Sequence, residues 1–303
     1  MKDTREREKG KEKGEKGEGE VLSFILYPLS FPLRLSQGNL NLLATCPRKF
    51  QHTYLEQLAA PNPPEQQEKQ NQGNRFHLLM QQWQLGLPIA PFIQADGQLQ
   101  QWFKAFTNAA PKILTLGSGE EVVLSQSEHT RTLEFQGYLF TVVYDLLLSG
   151  QQSAKILDWK TYPRPQNSRW LLENWQTRLY PFVLAETSTY LPEQISMTYW
   201  FFQATGEQAT AAAAQSFAIA YNAAKHEQTR QDLSQLLTQL THWLDQYQAG
   251  EPFPHLAFGS KPCETCTFPR RCFGPEVRQD DLAALPDRPG SLPSFEEIEE
   301  VPL

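Results

Sequence analysis

The stretch Tyr138–Lys160, YLFTVVYDLLLSGQQSAKILDWK, decides how the chain is read. Two apolar runs rich in β-branched and aromatic residues flank Ser149-Gly150-Gln151-Gln152, the pattern of a β-hairpin with a short polar turn. Each run holds one aspartate, Asp145 in the first and Asp158 in the second, and Lys160 follows Asp158 by two residues. Side chains two apart on a strand share a face, roughly 7 Å apart along the chain. A lone aspartate at a strand end that faces water is ordinary. A carboxylate inside an apolar run is not, because an unpaired buried charge is expensive and two nearby carboxylates repel unless a cation offsets them. Magnesium is bound by one or two carboxylates together with waters and phosphate oxygens, which is what this hairpin supplies. A lysine beside such a pair can align or polarise a water for attack on phosphorus, and the carbonyl of Trp159 offers a further ligand. The hairpin is therefore expected to be a nuclease centre.

Outward from it, the pattern predicts strands at 122–124 and 131–135, which complete a meander, and further strands at 195–203 and 216–220. Helices are expected from Ser36 as N-cap to Cys46, again from Arg48 to Leu58 after Pro47, and at 74–84, 98–109 and 170–188. A longer one at 227–248 carries Leu233, Leu236, Leu237, Leu240 and Leu244 on one stripe. Residues 60–72 read as a solvated linker. Helices around a mixed sheet define an α/β (α+β) fold in one principal domain, 21–275. A charged low-complexity tail, 1–20, precedes it, and an acidic, Pro-rich tail, 276–303, follows.

The net charge of −7 argues against tight, non-specific duplex binding, yet its location matters more than its total. The first 20 residues are balanced, with seven basic and seven acidic side chains, whereas residues 276–303 carry eight acids against two arginines. The body is thus close to neutral and can present a local basic groove. No apolar run approaches the ~18 residues of a spanning helix, and the start lacks the apolar stretch of a secretory signal, so a cytoplasmic protein with no membrane partner is expected.

Cys263, Cys266 and Cys272 cluster near the end of the domain. In a cytosolic chain such spacing points to metal before disulfides, either zinc or an iron–sulfur cluster. Either needs a fourth ligand, and the remaining cysteine is Cys46. Joining it to the others closes a loop of more than 200 residues.

His77, in GNRFHLLM, and the pair Gln176 and Tyr180, in QTRLY, read alone as packing residues on helices. Taken in order, LSQGNLNLLATCPRKF, GNRFHLLM, VVYDLLL, ILDWKT, QTRLY and CETCTFPRRC resemble the PD-(D/E)XK nuclease superfamily. Within it they resemble the RecB-like branch with an iron–sulfur staple, which includes the AddB nuclease and CRISPR-associated RecB-like exonucleases. The resemblance spans about residues 35–273. It implies a restriction-endonuclease-like core in which His77, Asp145 and Asp158 bind Mg²⁺ or Mn²⁺ and Lys160 is the catalytic lysine. It places Gln176 and Tyr180 near DNA, and makes Cys46, Cys263, Cys266 and Cys272 the ligands of a 4Fe–4S cluster. Val142 stands where the family often has glycine, and Glu128 or Glu134, upstream of Asp145, could contribute an outer carboxylate to the site.

The function expected is a metal-dependent deoxyribonuclease on single-stranded DNA or DNA ends, an exonuclease in repair, recombination or CRISPR-like processing. Trp159, Tyr162, Arg164 and Trp170 follow the site and suit stacking and backbone contacts to a single strand. No helicase-type phosphate loop is present, so unwinding would come from a partner helicase or another repair or CRISPR protein. The rival readings are a catalytically idle DNA-binding or repair-complex subunit and a zinc-stapled interaction module.

Overall fold

The computed structural model describes residues 32–58, 64–203 and 214–277. The charged tail expected at 1–20, most of the lead-in at 22–33 and nearly all of the acidic tail lie outside these residues.

A short strand, β1 (Arg34–Leu35), leads into α1 (Gln37–Thr45), whose N-cap Ser36 exchanges hydrogen bonds with Asn39 in a capping box. Pro47 starts α2 (Pro47–Phe50), which passes into one π-helical turn at Gln51–Leu55. Next come α3 (Pro64–Gln84), α4 (Ala90–Ala95) and α5 (Gly97–Ile113), the last capped by Asp96. The strands β2 (Leu124–Phe135), β3 (Tyr138–Ser149) and β4 (Ala154–Pro163) follow, then α6 (Arg169–Glu173) and α7 (Trp175–Glu186). After β5 (Ile195–Gln203) and β6 (Gln215–Ala220) come α8 (Ala223–Gln248) and two single turns, α9 (Lys261–Glu264) and α10 (Pro269–Phe273).

Two expectations are corrected. The linker at 60–72 is helix from Pro64 onward, the first three turns of α3. In place of two short strands at 122–124 and 131–135 there is one twelve-residue strand, which starts only at Leu124 and runs through the polar segment to Phe135. The cysteine segment contains the two single helical turns α9 and α10.

The six strands form one mixed sheet in the order β1-β3-β4-β5-β6, with β2 on the other edge of β3. Strand β3 pairs antiparallel with β2 along its whole length. On its other edge it pairs with β1 at 139–140 and with β4 at 146–149, and between these ladders residues 141–145 have no strand partner among the described residues. Helices cover both faces. On one, Phe140, Val142, Tyr144, Ile156, Met197 and Tyr199 pack against α1, α7 and α8. On the other, Leu146, Leu148, Leu157, Trp159 and Phe202 pack against α3 and α5. Side chains on a strand alternate between faces, yet Tyr144 and Leu146 lie on opposite ones, so the alternation of β3 changes phase at Asp145.

Candidate functional site

The hairpin register places Asp145 directly across from Asp158, one step beyond the last laddered pair, Leu146 and Leu157. Here the strands part: β3 stays with β2, and β4 continues beside β5. In place of a strand partner, Asp145 accepts a hydrogen bond at Oδ2 from the Trp159 backbone N–H at 2.6 Å. The carboxylate thus bridges the gap and is fixed to β4.

Helices from both faces reach this gap. From α3, His77 Nδ1 lies 3.1 Å from Asp145 Oδ1. Gly73, one turn earlier, allows the approach, because a Cβ there would stand 3.3 Å from Thr161 Oγ1 of β4. From α7, Gln176 donates through Nε2 to Asp158 Oδ1 at 2.8 Å and accepts at Oε1 from Lys160 Nζ at 2.9 Å. Lys160 Nζ also forms an ion pair with Asp158 Oδ2 at 2.9 Å. The Gln176 amide therefore joins acid and lysine, and both are buried. Asn174 caps α7 by accepting from Gln176 N–H at 2.7 Å, and its Oδ1 also accepts from Asn41 Nδ2 at 3.1 Å. The start of α7 is thereby tied to α1.

Glu128 completes the cluster. It faces Asp145 across β2 and β3, whose register is the same on either side of it although the pair itself makes no ladder bond. Its φ of 49° is left-handed, a conformation an L residue with a long side chain adopts only at a cost. One ligand atom each from His77, Glu128 and Asp145 lies within 4.8 Å of the others. Two hard carboxylates and an imidazole suit Mg²⁺ or Mn²⁺. The sequence offered Glu128 only as an outer carboxylate on a par with Glu134, because an acid in the polar run SQSEHT costs nothing until the register sets it against Asp145.

The electrostatics agree. Burial alone would disfavour charge on His77, but the Asp145 carboxylate, through its charge and hydrogen bond, pushes the ring up to about 9. Burial, and then repulsion from Asp145, pushes Glu128 up to about 7. Burial raises Asp158 to about 6, against the pull of Lys160. Without a cation, the three carboxylates are offset by Lys160 and by protons held on His77 and Glu128.

The remaining site expectations fall in different places. Tyr180 is buried in the core, its ring centroid 5.3 Å from that of Tyr144, whose hydroxyl donates to the Tyr180 carbonyl. The Trp159 side chain packs among Phe106 and Phe202, and Trp170 is buried, which leaves both rings in packing roles. Arg164 is exposed, and Tyr162 lies partly buried against the core. Val142 is fully buried beneath the helices of the first face.

The four cysteines lie together. Cys46, Cys263, Cys266 and Cys272 line one cavity, with Lys49, His52, His255, Phe268 and Phe273 among its other walls. None is in a disulfide. Burial, followed by the repulsion of neighbouring thiolates, pushes Cys263 and Cys272 up to about 11, with Lys49 and Arg48 in opposition. Four soft donors that disfavour one another's ionisation fit a thiophilic metal or cluster, which would hold them as thiolates.

The model of the PD-(D/E)XK nuclease superfamily matches residues 34–273. The chain belongs to that superfamily, whose members hydrolyse phosphodiester bonds with divalent metals. None of the curated proteins compared with the chain matches it. Among solved structures it is similar to the crystal structure of a presumed exonuclease from Eubacterium rectale, at 13% identity and a TM-score of 0.48 over 83% of this chain and 93% of that one. Among the described residues, no helix is long and apolar enough to cross a membrane.

Proposed function

We propose that this protein is a metal-dependent deoxyribonuclease that degrades single-stranded DNA from an end. The observation that carries the reading is the opposition of Asp145 and Asp158 where β3 and β4 part, with His77, Glu128 and Lys160 gathered at the same point. His77, Glu128, Asp145 and Asp158, with the Trp159 carbonyl, would hold Mg²⁺ or Mn²⁺. When bound, the cation supplies charge stabilisation at the scissile phosphate and lowers the pKa of water. Asp145 holds the site across the gap through Trp159 N–H. Lys160 orients the attacking water and meets charge on the phosphate, and Gln176 keeps its amine beside Asp158. Gln176 is thus a positioning residue, and Tyr180, one turn later on α7, packs against Tyr144 of β3.

The cysteine cavity supports membership of the RecB-like branch with a 4Fe–4S cluster, zinc being the alternative occupant. Residues 21–275 would form the nuclease domain, in a cytoplasmic protein that acts with a helicase or another repair or CRISPR protein. In an anaerobic assay with Mn²⁺, end-labelled linear single-stranded DNA should be degraded while a circular single strand survives. Equal loss of the circle would contradict dependence on an end.

A further inference from the structure

His52 sits in the π-helical turn Gln51–Leu55, a kind of turn that shifts the phase of the side chains after it. It is 4% exposed and lines the cavity shared by the four cysteines. Its Nδ1 lies 2.7 Å from Glu56 Oε2. Glu56 in turn accepts from Gln51 Nε2 at 2.5 Å, and Gln51 Oε1 accepts from Phe253 N–H at 2.7 Å, which anchors the carboxylate to the chain beside the cysteine segment. The ring packs against Phe268, centroid to centroid 5.1 Å, and Phe268 is itself a wall of the cavity. The other ring nitrogen, Nε2, is buried and has no hydrogen-bond partner among the described residues. A buried polar atom left unmet is costly, and nothing in the packing of a helical turn asks for one beside four sulfurs.

We infer that His52 is a positioning residue for the group held by the four cysteines, with Nε2–H donating to one of its sulfurs while Glu56 receives Nδ1–H. This rests on the reading of Cys46, Cys263, Cys266 and Cys272 as ligands of one inorganic group. Four thiolates complete the coordination of either zinc or a 4Fe–4S cluster, so no place is left for a fifth ligand. They also leave the group net negative, so a nitrogen facing it is favourable as a donor and unfavourable as a lone pair. Glu56 fixes the ring orientation as a carboxylate does for a metal-site imidazole. Lys49 and Arg48, already opposed to ionisation losses at Cys263 and Cys272, supply positive charge around the same cavity.

The test uses anaerobically purified full-length holoprotein, with iron, sulfide and zinc measured first. Release of the metal to excess chelator is then followed for wild type, His52→Phe and His52→Gln. Phenylalanine keeps the ring contact with Phe268 but has no donor, whereas glutamine loses the ring and can place an amide N–H near the Nε2 position. Donation predicts release about tenfold faster in His52→Phe and near wild-type release in His52→Gln. If the group is iron–sulfur, donation also predicts a lower reduction potential in His52→Phe alone. A purely structural role predicts the reverse order, with His52→Gln the worse, and would overturn the inference. Loss of metal from both variants during purification would make His52 a ligand and overturn it too. Should His52→Phe not fold, Glu56→Gln serves instead, because it frees the ring from a half-buried carboxylate; release as slow as wild type from that variant would count against donation. A wild-type protein without iron or zinc would remove the underlying reading of the cysteines, a failure distinct from equal release rates in loaded proteins.

Discussion

At the scale of single residues, the proton affinities of His77 and Glu128 fix how the site responds to pH. Each binds its proton more tightly in the folded, cation-free protein than in the unfolded chain, at about 9 and about 7. Their contribution to stability is therefore complete below the unfolded values and is lost as pH rises, first through 7 for Glu128 and then through 9 for His77. Ligation of a cation requires both to give up those protons. Mn²⁺ affinity is accordingly expected to climb from about pH 6 to 9, with proton release that shrinks over the same interval, as titration calorimetry in buffers of different ionisation enthalpy would measure. Glu128→Gln should weaken Mn²⁺ binding about tenfold or more and flatten the lower part of that climb. Unchanged affinity in this variant would remove Glu128 from the site. Asp145, Asp158 and Lys160 were legible from sequence because charged groups in apolar strands are costly without a purpose. Glu128 was legible only as an outer carboxylate no better than Glu134, since its place beside Asp145 depends on strand register and on one left-handed residue, neither of which a polar run encodes visibly.

At the scale of elements, the site depends on two helices brought to one gap from opposite faces of the sheet. The start of α7 is held by Asn174, which caps Gln176 N–H and receives the Asn41 amide, while Asn41 Oδ1 accepts from Trp175 N–H at 3.0 Å. Asn174→Ala should cost about 1 kcal/mol of stability by denaturant melt and lower the cleavage rate more than its stability loss explains, because Gln176 is the first residue the cap positions. A rate equal to wild type at full folding would place the alignment of Lys160 elsewhere. Strand β3 and the hairpin turn were readable from alternation and turn chemistry. Helix α3 was misread over its first turns because Pro64 to Gln72 is rich in Glu and Gln and buries little; its apolar contacts begin with Phe76, Leu79 and Met80. The phase change at Asp145 is likewise invisible in sequence, where the run VVYDLLLS is compatible with a regular strand.

For the whole molecule, the four-cysteine cavity draws residues more than 200 positions apart to one place, beside the last turns of the domain. A group bound there restricts the unfolded chain by closing a very long loop and should stabilise on the order of 3 kcal/mol or more. Cys46→Ser is expected to lose the group and melt at the temperature of chelator-stripped wild type, and chelator should leave its melting unchanged. A Cys46→Ser protein that melts with untreated wild type would mean that the cavity binds nothing of structural weight. The pairing of Cys46 with the distant trio was legible because one cysteine remained to be placed. The buried Nε2 of His52 was not, since it follows from a π turn.

The central claim is that Asp145, Asp158 and Lys160 hydrolyse phosphodiesters with a divalent cation. It is tested most directly by single-turnover cleavage of end-labelled single-stranded DNA with Mn²⁺ under anaerobic conditions, comparing wild type with Asp158→Ala and Lys160→Ala proteins of matched folding and metal content at the cysteines. Cleavage by wild type that requires Mn²⁺ and falls by a factor of at least about 1,000 in both variants, in line with loss of a principal charge-stabilising group, is the predicted result. Cleavage by the variants at the wild-type rate would contradict it.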